Sequence, residues 1–154
     1  MAGQRWLSVN VVPALAEKVF SKMSNPQTLT ELLNRRVAQG GIALYDRDRP
    51  VTAAQLEDES RRVAQGLHDL GVREGDRVAV WLPNITAWPA CFFAIARLGA
   101  ITVSTNTRFR SSEIADIVSR SGAKVLIYWP GFRGIDFDGI LRDAGVGKIG
   151  RAHV

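Results

Sequence analysis

Between Arg77 and Tyr128 three short apolar segments, within RVAVWLPN, AITVS and AKVLIY, alternate with two stretches of helical periodicity. Strands joined in this way by intervening helices must run parallel, and the crossovers are expected to be right-handed. The run from Val78 to Leu82 is apolar without alternation, which suits a strand covered on both faces better than one open to water. The pattern β-α-β-α-β therefore predicts an α/β fold in which helices layer a parallel sheet.

Local signals place the helices. TLTELLNRRVAQGG sets Leu29, Leu32, Leu33 and Val37 on one helical face, with Gly40 or Gly41 positioned to end the helix in a left-handed conformation. IALYD reads as a short strand and RDRP as a turn. Thr52 and Gln55 have the spacing of a capping box, opening a helix that runs to Gly71. Its predicted buried stripe is Leu56, Val63, Leu67 and Leu70, with Glu57–Arg61 and Asp58–Arg62 paired on its wet side. A third helix is expected from about Thr86 to Leu98, ending at Gly99. A fourth, SSEIADIVSRSG, turns Ile114, Ile117 and Val118 inward, with Ser111 and Ser112 as caps. WPGFRGIDFDGILRDAGVG reads as a loop and a helix. Residues 1–27 show no sustained period and read as an N-terminal arm, although PALAEKVFSK could form a short helix before Asn25-Pro26.

The composition is that of an ordinary globular chain, 46% hydrophobic and 23% charged over 154 residues. The best apolar run, ITAWPACFFAIA, is closed by Arg97 and falls short of the about 20 residues that span a bilayer. LSVNVVPALA is broken by Ser8, Asn10 and Pro13 and lacks the apolar core of a secretory signal, so the expected location is cytoplasmic. The lone Cys91 sits in an apolar helical stretch, where cysteine behaves as a small buried hydrophobe. The formal charge of +5 rests on sixteen arginines and four lysines. Arg35-Arg36, Arg61-Arg62 and Arg108 to Arg110 lie on separate elements with acids interleaved, so no single nucleic-acid-binding stripe forms.

Several chemistries have no footing here. Gly147-Lys148 is followed by Ile149, so the tail is not a P-loop, and no GxGxxG follows a strand. His68 and His153 have no partner at metal-ligand spacing, and no serine is nominated for a Ser-His-acid set, so neither a metal site nor a catalytic residue is expected. Asn84-Ile85-Thr86 matches a glycosylation triplet, idle without a secretory signal. Arg108-Phe109-Arg110 is a basic loop with an aromatic between, a grouping that suits a phosphate or simply water.

The stretch from ALYDRDRPVTAAQLEDESRRVAQGLHDLGVREGDRVAVWLPN through AIARLGAITVSTNTRFRSSEIADIVSRSGAKVLI, roughly residues 43 to 128, resembles the first part of the AMP-forming adenylating enzymes. That family includes acyl-CoA synthetases, firefly luciferases and peptide-synthetase adenylation domains. The motifs come in order: a T-x-x-x-L helix, GVREGDRVAVWLPN, ARLGA, NTRFR before a helix, and SGAKVLI. NTRFRSSEI is closer to the N-x-R segment of acid-CoA ligases than to the D-P-x-Y-P segment of peptide-synthetase domains, which favours CoA as acceptor. The resemblance implies the layered large N-terminal domain of that family and a two-step reaction. A carboxylate, fatty or other acyl, attacks ATP to give an acyl-adenylate and pyrophosphate, with Mg²⁺ neutralising phosphate charge; the CoA thiol then displaces AMP. It also implies that Arg108 and Phe109 lie near the CoA nucleotide entrance.

The family's Ser/Thr/Gly-rich phosphate loop ending in lysine, its adenine and ribose motifs, its hinge and its catalytic lysine come later in such enzymes and are not in this chain. Residues 28–147 are accordingly expected to be part of an adenylation domain, inactive alone and binding none of ATP, Mg²⁺ and CoA well. Residues 148–154 are expected to be a non-native tail. AAGATCGGAAGAGCACACGTC encodes KIGRAHV, and all but its first base resembles the start of a widely used sequencing adapter. The rival expectation is a self-contained α/β binding or interaction module, which requires a stop codon after Val154.

Overall fold

The computed structural model describes residues 28–146 and the backbone of residues 150–153. Residues 1–27, 147–149 and 154, and the side chains of residues 150–153, lie outside the described residues, and with them the expected N-terminal arm, its short helix and His153.

The chain opens with helix α1 (Leu29–Gln39), which Thr28 caps by accepting the Glu31 N–H at 3.1 Å. Gly40 and Gly41 both take positive φ, 71° and 88°, and turn the chain into a hairpin of β1 (Ile42–Asp46) and β2 (Arg49–Thr52). The predicted turn RDRP is thus only half turn. Asp46 pairs with Arg49, Arg47 takes the corner at φ 56°, and Arg49-Pro50 already belong to β2. The capping box opens α2 (Ala53–Asp69) as expected: Gln55 N–H donates to Thr52 Oγ1 at 3.1 Å, and Thr52 N–H to Gln55 Oε1 at 2.9 Å.

The remainder is strand and helix in alternation: β3 (Arg77–Trp81), α3 (Ala87–Arg97), β4 (Ile101–Ser104), α4 (Ser111–Ser121) and β5 (Val125–Tyr128). A short 3-10 turn (Phe132–Gly134) leads to α5 (Phe137–Asp143), and β6 (Gly150–His153) pairs along β5 from Val125↔Gly150 to Tyr128↔His153. The order across the sheet is β4-β3-β5-β6, all parallel. Pairing at the outer side of β5 is made by backbone N–H and C=O groups, so any extended segment can form it.

β3 is covered on both faces, as its unbroken apolar run requires. Val78 and Val80 join Val125, Ile127, Leu67, Cys91, Ala94 and Ile95 under α2 and α3. Ala79 and Trp81 join Leu126, Tyr128, Ile114, Phe137 and Leu141 under α4 and α5. The structure is therefore the predicted α/β fold, a parallel β3-β4-β5 sheet between helical layers.

Four side-chain expectations are corrected. Leu29, Leu32 and Leu70 are 37, 41 and 47% exposed, so the stripe on α1 narrows to Leu33 and that on α2 to Leu56, Ala64 and Leu67, with Val63 half-buried against the same core as Ala64 and Leu67, as expected. Glu57 is not on a wet face: at 5% exposure it accepts from Arg61 Nε at 2.7 Å and from Arg97 Nη2 at 2.6 Å, joining α2 to α3. Arg62 pairs with Glu59 rather than Asp58. Ser111 and Ser112 are the first residues of α4, preceded by Arg110 as N-cap, whose backbone N–H donates to Glu113 at 2.9 Å.

Candidate functional site

The strand order sends the chain from β3 out to β4 on one side, then back across to β5 on the other. Such a reversal opens a crevice at the carboxyl ends of the strands, where open α/β sheets take their ligands. In this protein that edge carries the segment after β3 (Leu82 to Thr86), the basic loop after β4 (Thr105 to Arg110), and Trp129 onward after β5.

On the α3 side, Asp46, Arg47, Ile85, Thr86, Ala87 and Trp129 line an open groove of ≈ 490 Å³. Thr86 contributes a buried hydroxyl with no hydrogen-bond partner. A second groove of ≈ 370 Å³ lies away from the strand ends, along α2 and α3, lined by Arg61, Gln65, His68 and Arg97 among others.

On the α4 side the chain is built around Asn106. Its backbone carbonyl accepts the Phe109 N–H at 3.0 Å and the Trp81 indole N–H at 2.9 Å. Its side-chain Oδ1 accepts the Arg108 N–H at 2.9 Å, a local turn that asparagine is suited to close. Arg108 and Arg110 are exposed, while Phe109 is half-buried against the cluster that contains Trp81 and Phe137. The Arg110 N–H, with Glu113's own N–H behind it, holds the Glu113 carboxyl below its ordinary value. The loop therefore offers two exposed guanidinium groups on a backbone whose amides at 108, 109 and 110 are already satisfied.

The other chemistry-bearing residues stand apart. Burial pushes the Cys91 thiol up to about 12, so no thiolate is available near neutral pH. His68 is half exposed, 3.7 Å from Asp69. No group of three His, Cys, Asp or Glu side chains is placed to hold a metal among the described residues. No helix among them is long and apolar enough to cross a membrane.

The two residues singled out in the sequence, Arg108 and Phe109, thus lie side by side on one loop at the carboxyl edge of the sheet. The anchor that sequence reasoning missed is Trp81, whose partner lies 25 residues away. Asn106 carried a signal in the N-x-R spacing; an indole N–H at the end of a buried strand carried only the general requirement that it find an acceptor.

Residues 34–149 match the family described as AMP-binding enzyme. The putative acyl-CoA synthetase YngI of Bacillus subtilis is 36% identical over 100 residues, 65% of this chain and 18% of the relative. The long-chain-fatty-acid–CoA ligase FadD13 of Mycobacterium tuberculosis is 42% identical over 78 residues, 51% of this chain and 16% of the relative. Among solved structures, the N-terminal domain of FACL13 from M. tuberculosis superposes with a TM-score of 0.73 at 30% identity, covering 83% of this chain and 34% of that one. The chain spans about a fifth of the length of the curated relatives it matches.

Proposed function

This chain belongs to the AMP-binding enzyme family, and from that premise we propose that it is the N-terminal part of a cytoplasmic acid-CoA ligase. The observation that carries the reading is the match over residues 34–149, running through both layers of the sheet, to a family whose relatives here include an acyl-CoA synthetase and a fatty-acid–CoA ligase. The whole enzyme activates a carboxylic acid, fatty or other acyl, with ATP. The carboxylate oxygen attacks the α-phosphorus and pyrophosphate leaves; the CoA sulfur then attacks the acyl carbon of the adenylate and AMP leaves. Mg²⁺ supplies charge neutralisation at the phosphates when bound.

This chain's own contribution is binding and orientation. The basic loop brings Arg108, with the flat face of Phe109 beside it, to the nucleotide end of CoA, where a guanidinium suits a phosphate. The loop's amides are already bonded within the protein, so the contact falls to side chains. The residues that carry the chemistry lie in the family's later segments, and the 154-residue chain is inactive alone.

The test is activity of the complete reading frame. Acid-dependent ATP–pyrophosphate exchange and thioester formation are expected from the full-length product and neither from the 154-residue chain. Arg108→Ala in the full-length enzyme should raise the KM for CoA about tenfold, the loss of one charge-assisted phosphate contact, while leaving pyrophosphate exchange intact. An unchanged KM removes Arg108 from the CoA site.

A further inference from the structure

We propose that Trp81 is a positioning residue for the basic loop: its indole N–H fixes the Asn106 carbonyl, and through Asn106 the loop presents Arg108 and Phe109 in one conformation. This rests on the reading of those two residues as contacts for the nucleotide end of CoA.

Trp81 is the last residue of β3 and is fully buried, its ring meeting Phe137 edge-on with centroids 4.5 Å apart. A buried indole N–H needs an acceptor, and this one reaches past its own strand to the loop that follows β4. The same carbonyl takes the Phe109 N–H, and the same residue's side chain takes the Arg108 N–H. Two consecutive loop amides thus end on one residue, and that residue is tied to the central strand of the sheet. At the far end the Arg110 N–H is held by Glu113 on the first turn of α4. The loop is fixed at both ends before any ligand arrives, which lowers the ordering cost of binding.

Trp81→Phe removes the donor and keeps an aromatic ring in the core. Phe137→Leu is the packing control, since it removes the ring that meets the indole and leaves the N–H in place. Amide hydrogen exchange of the 154-residue chain, read residue by residue by NMR, should quicken about tenfold at Arg108 and Phe109 in Trp81→Phe relative to Val80 and Leu126, the loss of one part-buried hydrogen bond. Phe137→Leu should speed the loop and the sheet together. If Trp81→Phe leaves the ratio of loop to sheet exchange as in the parent chain, the positioning role is overturned.

Titration of the full-length enzyme with adenosine 3′,5′-bisphosphate, the nucleotide end of CoA, separates this claim from the one beneath it. Weaker binding in both Arg108→Ala and Trp81→Phe supports the two together. Binding by the full-length enzyme no tighter than by its Arg108→Ala variant overturns the CoA reading of the loop, while the exchange ratio still decides the role of Trp81.

Discussion

Glu57 holds two guanidinium groups with one carboxylate, that of Arg61 one turn along its own helix and that of Arg97 on the next. Arg97 also has a buried Nε–H with no partner, so Glu57→Ala would leave this guanidinium without its anion. The expected loss is about 1–3 kcal/mol in chemical denaturation, whereas Asp58→Ala, one position along and exposed, should stay within about 0.5 kcal/mol. Equal effects would mean that the bridge between helices contributes nothing. Asp76 sets a pH dependence at the opposite edge of the sheet. The Lys124 ammonium at 2.8 Å and the Arg73 N–H at 2.7 Å hold its carboxyl below the ordinary value. A lowered folded value stabilises the protein above the unfolded carboxylate's pKa of about 4, and that contribution disappears as pH falls through the folded value. Asp76→Asn should therefore lower Tm at neutral pH and flatten the decline of Tm in acid; parallel pH profiles would contradict the bridge. Glu57 and Trp81 share a reason for escaping a sequence reading. Their partners lie 40 and 25 residues away, and only the folded chain brings them into reach.

Elements defined by local chemistry were legible. The Thr52–Gln55 box, the glycines after α1, α2 and α3, and the unbroken run in β3 each state their structure within a few residues. Elements defined by a neighbour were not. Leu29, Leu32 and Leu70 follow the helical period yet stay exposed, because period says which residues share a face and not whether anything covers it. β2 escaped notice because Arg49-Pro50 carries turn chemistry, while its pairing partner, β1, is what makes it a strand. The loop of the candidate site was legible through N-x-R, its anchorage was not. The layered sheet makes its own prediction. Ile127→Ala, at 1% exposure under α2 and α3, should cost about 2–5 kcal/mol, and Ile101→Ala, 47% exposed on β4, less than about 1 kcal/mol. Comparable losses would contradict a core centred on β3 and β5.

At the scale of the molecule, β4 has no neighbour on its outer side among the described residues, and the chain corresponds to 34% of the FACL13 N-terminal domain it superposes on. Membership of the AMP-binding enzyme family over residues 34–149, with only about a fifth of the length of the curated relatives covered, fits the account proposed above, in which these residues are the N-terminal part of a larger enzyme. The pairing of Gly150–His153 with β5 needs only extended backbone, so it is compatible with a foreign tail. One measurement bears on this most directly: a long read through the genomic locus past the Gly147 codon. The account predicts a frame that continues, without KIGRAHV, into a Ser/Thr/Gly-rich loop ending in lysine. A genomic KIGRAHV followed by a stop codon would contradict it and leave a self-contained α/β module in its place.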